Sequence, residues 1–255
     1  MGNIFDSHAH YDSDAFDEDR DELIASLPGK GVCGVVNCAS DIATSLTSLE
    51  LSEKYGFIYA ACGVHPHEAE KLKDGWLSVL KTLCHNEKCV AVGEIGLDYH
   101  YDFSPRDIQK KVFEEQLILA NELSLPVVIH DREAHEDTMA LLKKYKPKGV
   151  VHCFSGSAEM AKEVLKIGMY IGLGGAATFK NAKKPLEVAA MVPDDRLLIE
   201  TDCPYMTPVP FRGQRNDSSF IPYSENVIAG VRNTGADELL RLTRKNANSL
   251  FGTSL

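Results

Sequence analysis

Six residues able to bind a divalent cation lie behind short apolar runs. They are His8 and His10 after NIFDS, Glu94 after CVAVG, His130 after PVVI, His152 after GVV, and Asp202 after LLIET. Imidazole and carboxylate together suit divalent transition metals, zinc being the common default. Six such groups exceed the needs of one tetrahedral ion, so the set points to a two-metal site. His8 and His10 are two apart, and residues i and i+2 of a strand face the same way, so both imidazoles can enter one site. A buried carboxylate is rare unless paired or metal-bound, and the two oxygens of Glu94 can bridge a metal pair. Asp202 can hold a metal and also take a proton from a bound water. A lone HxH pair or a single strand-end histidine has an ordinary structural explanation. The recurrence of such residues at successive strand ends carries the metal reading.

Other residues attend this set. Asp6 is expected on the same side as the histidine pair, one layer deeper, where it can orient an imidazole. Glu200 is expected to play a structural or supporting role beneath Asp202. His65, in GVHP, either contacts substrate or caps the next helix. Arg132, just past His130, has the same two readings. Cys153 and Cys203 should face away from the site, because adjacent strand residues alternate faces. Lys180, Lys183 and Lys184 form one basic island, and Arg212 and Arg215 another. Arg212 is the expected phosphate contact, since loops of this kind often bind phosphate in a barrel. The lysines are read as neutral between phosphate binding and a solvated face.

The elements that must position these residues follow from periodicity. β-Rich runs are expected at 3–8, 32–38, 57–63, 89–94, 126–130, 149–153, 169–172 and 196–201. Helical patterns lie near 16–27, 41–54, 68–85, 106–123, 134–145, 158–166 and 182–191, with two more near 222–233 and 236–250. Runs such as VCGVVNC and KGVVHC are almost continuously apolar, as in strands buried on both faces. Eight such strands alternating with helices over 255 residues predict an α/β fold, a single TIM-type (β/α)8 barrel forming one domain over 1–255. The candidate ligands then stand at the C-terminal ends of the strands, where barrel active sites are built.

A net charge of −10 argues against a protein that coats nucleic acid with a basic surface. It leaves room for an enzyme that meets phosphate through bound cations. The seven cysteines form no CxxC pair, and neither a leader nor a membrane-length apolar run is visible, so a soluble cytoplasmic protein is expected.

The segments DSHAHYD, AACGVHPHE, VAVGEIGLDYH, PVVIHDREA, VVHCFSG and LLIETDCPYMTPVPFRG, in this order, resemble the TatD-type metal-dependent deoxyribonucleases of the amidohydrolase-like superfamily. The resemblance spans essentially the whole chain. It implies hydrolysis of DNA phosphodiesters with two divalent ions (Zn, Mg or Mn), typically 3′–5′ exonuclease action on single strands. By motif, His8 and His10 match the first metal-binding pair, Glu94 the bridging carboxylate, His130 and His152 the second-metal histidines, and Asp202 the last ligand. His65 and Arg212 match positions expected to touch substrate. The implied catalytic set is Asp202, Glu94 and His65, with His65, Arg132 and Arg212 binding substrate. DNA is the implied partner of a monomer, or of a dimer. The alternative is a metal-dependent hydrolase of a small amide, lactone or phosphoester, because a fold does not dictate its substrate.

Overall fold

The apolar runs become eight parallel strands that pair in chain order in one sheet. In the computed structural model, which describes residues 2–254, these are β1 (Ile4–Ala9), β2 (Val32–Cys38), β3 (Ile58–Cys62), β4 (Cys89–Asp98), β5 (Val127–Arg132), β6 (Gly149–Val151), β7 (Tyr170–Leu173) and β8 (Leu197–Ile199). Between them run α1 (Arg20–Ser26), α2 (Ile42–Lys54), α3 (Trp76–Leu83), α4 (Arg106–Leu123), α5 (His135–Tyr145), α6 (Ala158–Lys166) and α7 (Lys183–Met191). Helices α8 (Ile221–Arg232) and α9 (Ala236–Phe251) follow. The sheet curls into a nearly closed TIM-type barrel. Its seam joins β1 to the segment after β8, through Asp202 N–H to His8 O at 2.9 Å and His10 N–H to Cys203 O at 2.8 Å. The seam thus places Asp202 directly beside the histidine pair.

Side-chain alternation splits the core in two. Phe5, Val36, Ala61, Ala91, Val128, Val150, Tyr170 and Leu198, from all eight strands, pack together with Phe251 of α9 and fill the barrel. Val35, Ala60, Val92, Val127, Val151, Ile171 and Leu197 belong to the larger cluster against the helices. His130 and His152 lie two residues from the inward Val128 and Val150, so strand alternation carries them to the mouth, whereas Asp202 lies three residues past the end of β8, where the chain turns at φ 59°. His8 and Glu94 lie three residues from the inward Phe5 and Ala91, an odd offset. Register shifts between Asp6 and Ala9, and between Val92 and Ile95, reverse the phase of β1 and β4 there. Irregularities of this kind commonly re-aim side chains beside active sites.

Three expected elements differ. The strand expected at 89–94 runs on to Asp98, buried throughout. The helix expected near 68–85 is a 3-10 helix, Pro66–Lys71, and then α3, separated where Gly75 takes φ 83°. The first helix shrinks to Arg20–Ser26 and hands over to a 3-10 turn at Pro28. Helix α4 matches its expected span, and two of its buried glutamines hold the strand ends beneath the site. Gln116 bonds both backbone groups of Val64, next to His65. Gln109 bonds both backbone groups of Asp98.

Candidate metal centre

The six residues singled out by type and spacing meet at one mouth of the barrel. His8 Nε2, His10 Nε2, Glu94 Oε2 and Asp202 Oδ1 surround one point. The two imidazole nitrogens are 2.9 Å apart. Glu94 Oε2 lies 3.3 Å from His8 and 3.5 Å from His10, and Asp202 Oδ1 lies 3.6 Å and 3.4 Å from the same atoms. A tetrahedral ion held at about 2.0–2.2 Å requires ligand–ligand edges of about 3.3–3.6 Å. Four of the five distances match and the His8–His10 edge is shorter, so the donor set is close to the size of a cation site and has its chemistry.

Glu94 turns its other oxygen to a second group. Oε1 lies 2.7 Å from His152 Nε2 and 2.8 Å from His130 Nδ1, and those two nitrogens are 3.4 Å apart. One carboxylate thus divides two clusters of potential ligands, and the His8 and His152 rings stack on each other at 3.8 Å.

The partners of each ring decide which nitrogen offers a lone pair. His10 Nδ1–H donates to the Cys38 carbonyl at 2.7 Å, which turns Nε2 toward Glu94 and Asp202. His130 meets a carboxylate on each edge, Nε2 facing Asp98 Oδ2 at 3.2 Å and Nδ1 facing Glu94 Oε1 at 2.8 Å, so a cation at Nδ1 would take the place of a proton there. His65 is the reverse. Its Nδ1 accepts the His67 backbone N–H at 3.2 Å, so Nε2 carries the proton, 3.7 Å from Glu94 Oε1. His65 is therefore both the cap of the 3-10 helix that follows and a hydrogen-bond donor facing the site. Its place beside Glu94 and His130 would also let it reach an ion, but its tautomer suits donation.

Electrostatics show where a cation would replace a proton. Burial opposes the charge on Glu94, yet His152, His8 and His65 hold its carboxyl well below the usual range. Burial also opposes a charged His10, but Asp202 and Glu94 draw it up to about 9. Burial and the neighbouring His130 keep His65 neutral, far below the ordinary histidine value. A nitrogen that attracts a proton this strongly faces negative charge that a cation can also neutralise.

Glu200 serves from below. Its Oε1 accepts the Cys153 backbone N–H and lies 3.6 Å from His152 Nδ1. The fit is close: a Cβ on Gly172 would come within 2.3 Å of Glu200 Oε2. Asp6 does not orient an imidazole. Its oxygens accept the backbone N–H groups of His8 and Thr201 and the hydroxyls of Thr201 and Ser218, because the register shift leaves it at the seam. Cys153 and Cys203 join none of the potential metal groups among the described residues.

The basic islands are less uniform than their sequence. Arg215 is committed to Asp19, with Nη2 to Oδ2 at 2.5 Å, and sits over Phe16. Arg212 lies 4.0 Å over the Phe179 ring, and Nη1 donates to Thr207 O at 2.9 Å, its side chain otherwise exposed. Lys183 is 4.0 Å from Glu187, and Lys184 lines a groove with His135 and Glu163 that contains none of the clustered ligands. Arg132 lies over Tyr101 at 4.8 Å.

Two residues at the site escaped the motif reading. Asp98 is fully buried, and its Oδ2 accepts from His67 Nε2 at 2.9 Å as well as from His130. Both lie inside quoted segments, GEIGLD and GVHPHE, and the clue was a second carboxylate four residues after Glu94 in an unbroken apolar run.

Comparison with known proteins gives the same answer along the full chain. Residues 5–252 match the model of the TatD-related DNases. A metal-dependent hydrolase of Bacillus subtilis, YabD, is 46% identical over 251 residues, 97% of this chain and 98% of the relative. A 3′-5′ ssDNA/RNA exonuclease TatD from Erwinia tasmaniensis is 35% identical over 257 residues, 97% of this chain and 99% of its own. The crystal structure of YjjV, a TatD homologue of Escherichia coli, superposes with a TM-score of 0.93 at 34% identity, covering 99% of both chains. No helix among the described residues is long and apolar enough to cross a membrane. The chain belongs to the TatD-related DNase family and is a metal-dependent hydrolase.

Proposed function

We propose that the protein is a 3′–5′ exonuclease of single-stranded DNA that works with two divalent cations. The observation that carries this reading is Glu94, whose two oxygens face separate ligand clusters. His8, His10, Glu94 and Asp202 would hold one ion, and Glu94, His130 and His152 the other. Bound there, two cations neutralise a phosphodiester and lower the pKa of a water toward neutrality. Asp202 accepts the proton of the attacking water, because burial notwithstanding, the imidazoles of His10, His8 and His152 keep its carboxyl ionised. His65 Nε2–H donates to a phosphate oxygen or to the leaving group. Arg212 and Arg132 bind phosphates of the strand, Arg212 through guanidinium nitrogens not used on Thr207. The exonuclease name of the Erwinia relative supports the substrate class.

Local cation charge explains how a chain of net charge −10 can act on a polyanion. Only a strand end needs to reach the mouth. We further propose that 1–255 acts as one domain, as a monomer. The described cysteines are all free thiols, which supports a cytoplasmic setting. The test is cleavage of end-labelled single- and double-stranded oligonucleotides, with and without EDTA and across a series of divalent metals. Metal-dependent shortening from the 3′ end of single strands is expected. Turnover of a cyclic amide or lactone, with no oligonucleotide cleaved, would overturn the proposal.

A further inference from the structure

The loop that leaves β4 carries two exposed aromatic rings beside the candidate site, and the roles assigned above leave them idle. Tyr101 is 47% exposed and Phe103 64%. Their rings lie 5.3 Å apart and only 26° from parallel. The edge of His67 meets both, at 5.5 Å and 4.8 Å, and the Arg132 guanidinium lies 4.8 Å from the centre of Tyr101. The position of these rings relative to the ligands is fixed. Asp98, which bonds His130 and His67 through Oδ2, also accepts the backbone N–H groups of His100 and Tyr101 through Oδ1, each at 2.9 Å. Ser104 Oγ donates to His67 O at 3.2 Å and closes the loop. The rings are thus preorganised one imidazole away from His130.

We infer that Tyr101 and Phe103 form a stacking platform for an unpaired base flanking the bond that is cleaved, with Arg132 binding a phosphate of the same strand. The inference rests on the nuclease reading above. Aromatic faces beside a cation are how proteins hold single strands without reading sequence, since every base has a π-face. A guanidinium lies over the face of Tyr101, and Phe103, the more exposed ring, is left to meet a base, an arrangement of ring and positive charge that suits a nucleotide. A base can reach the rings only when it is unstacked from its neighbours, so the platform selects single strands over duplex ends.

The test compares single-stranded oligonucleotides bearing one abasic residue at each of the three 3′-terminal positions with the unmodified strand. Wild type, the double variant Tyr101→Ala/Phe103→Ala and the variant Phe103→Trp are assayed. For wild type, removing the base at one of these positions should raise KM roughly 5- to 100-fold, with a smaller change in kcat. The double variant should show the higher KM already on the unmodified strand, with no further change on removing the base. Phe103→Trp should keep the dependence on the base. Both rings are on the surface, so folding is not at stake. Oligonucleotide cleavage by wild type without any dependence on the base, or a dependence that survives the double substitution, would overturn the platform alone. Failure of wild type to cleave any oligonucleotide would overturn the nuclease reading with it.

Discussion

Asp98 Oδ2 stands 3.2 Å from His130 Nε2, on the opposite edge of the imidazole from the one that meets Glu94. A carboxylate only accepts, so Nε2 keeps its proton here and the contact fixes the angle of the ring while Nδ1 faces Glu94. Burial works against the charge on Asp98, but His130, the Tyr101 N–H and His67 hold its carboxyl far below the usual range. Carboxylates that back a metal-binding histidine in this way typically contribute 10- to 100-fold in metal affinity or activity. Asp98→Asn should therefore weaken binding of the cation assigned to Glu94, His130 and His152 by roughly 10–100-fold, measured by competition with a chromogenic chelator. Unchanged affinity would mean that the ring is held by other contacts.

Asp202→Ala should lower kcat by roughly 10²–10⁴-fold at saturating metal, with KM for the oligonucleotide much less affected. Its carboxylate lies at the seam beside His8 and His10, where it can both hold an ion and take a proton. A rate near that of wild type would assign proton transfer to another group.

Arg212→Lys should raise KM for oligonucleotides several-fold and make it more dependent on salt. The planar guanidinium lies against Phe179 and can present a fork to phosphate, which an ammonium cannot copy. Charge reversal of Lys180, Lys183 and Lys184 should act more gently. Kinetics of Arg212→Lys identical to wild type would remove this residue from the phosphate path.

Glu225, on α8 and 2% exposed, has no partner for Oε1. Burial, and then the charge of Asp237, push its carboxyl up from 4.5 to about 7. The folded chain therefore keeps a proton that the unfolded chain loses between these values. Its contribution to stability falls as pH rises through that window and is constant on either side. Glu225→Gln should remove this slope and raise Tm at pH 8 by on the order of 10 °C, with little change at pH 4.5. Parallel melting curves for the two proteins from pH 5 to 8 would contradict it.

What the sequence discloses here depends on where strand alternation holds. His130 and His152 keep the phase of the apolar residues before them, so their direction could be read directly, whereas Asp202 turns in at φ 59° beyond the end of β8. His8, His10 and Glu94 reach the mouth only because β1 and β4 shift register, which no periodicity displays. Their residue types and family motif located them instead. Asp6 shows the cost of ignoring the shift, since simple alternation put it beneath the histidines and the structure puts it at the seam. Asp98 was hidden because β4 continues four residues beyond Glu94. Gln109 and Gln116 share a helical stripe with Phe113 and Ala120, so their burial had a visible signal, although the strand ends they hold are remote in sequence. Arg215 and Arg212 read alike as charges, and only the position of Asp19 across the seam separates them.

The central claim is a catalytic pair of cations organised by Glu94, and it is tested most directly by counting ions against activity. The chelated protein is titrated with zinc or manganese while bound metal and oligonucleotide turnover are followed together. Activity should reach its plateau at two ions per chain, and Glu94→Gln should bind fewer and remain inactive. The far-ultraviolet circular dichroism of the chelated chain should match that of the loaded one, because the packed core clusters contain none of the proposed ligands. Full activity with one ion per chain, or unfolding on chelation, would contradict the account.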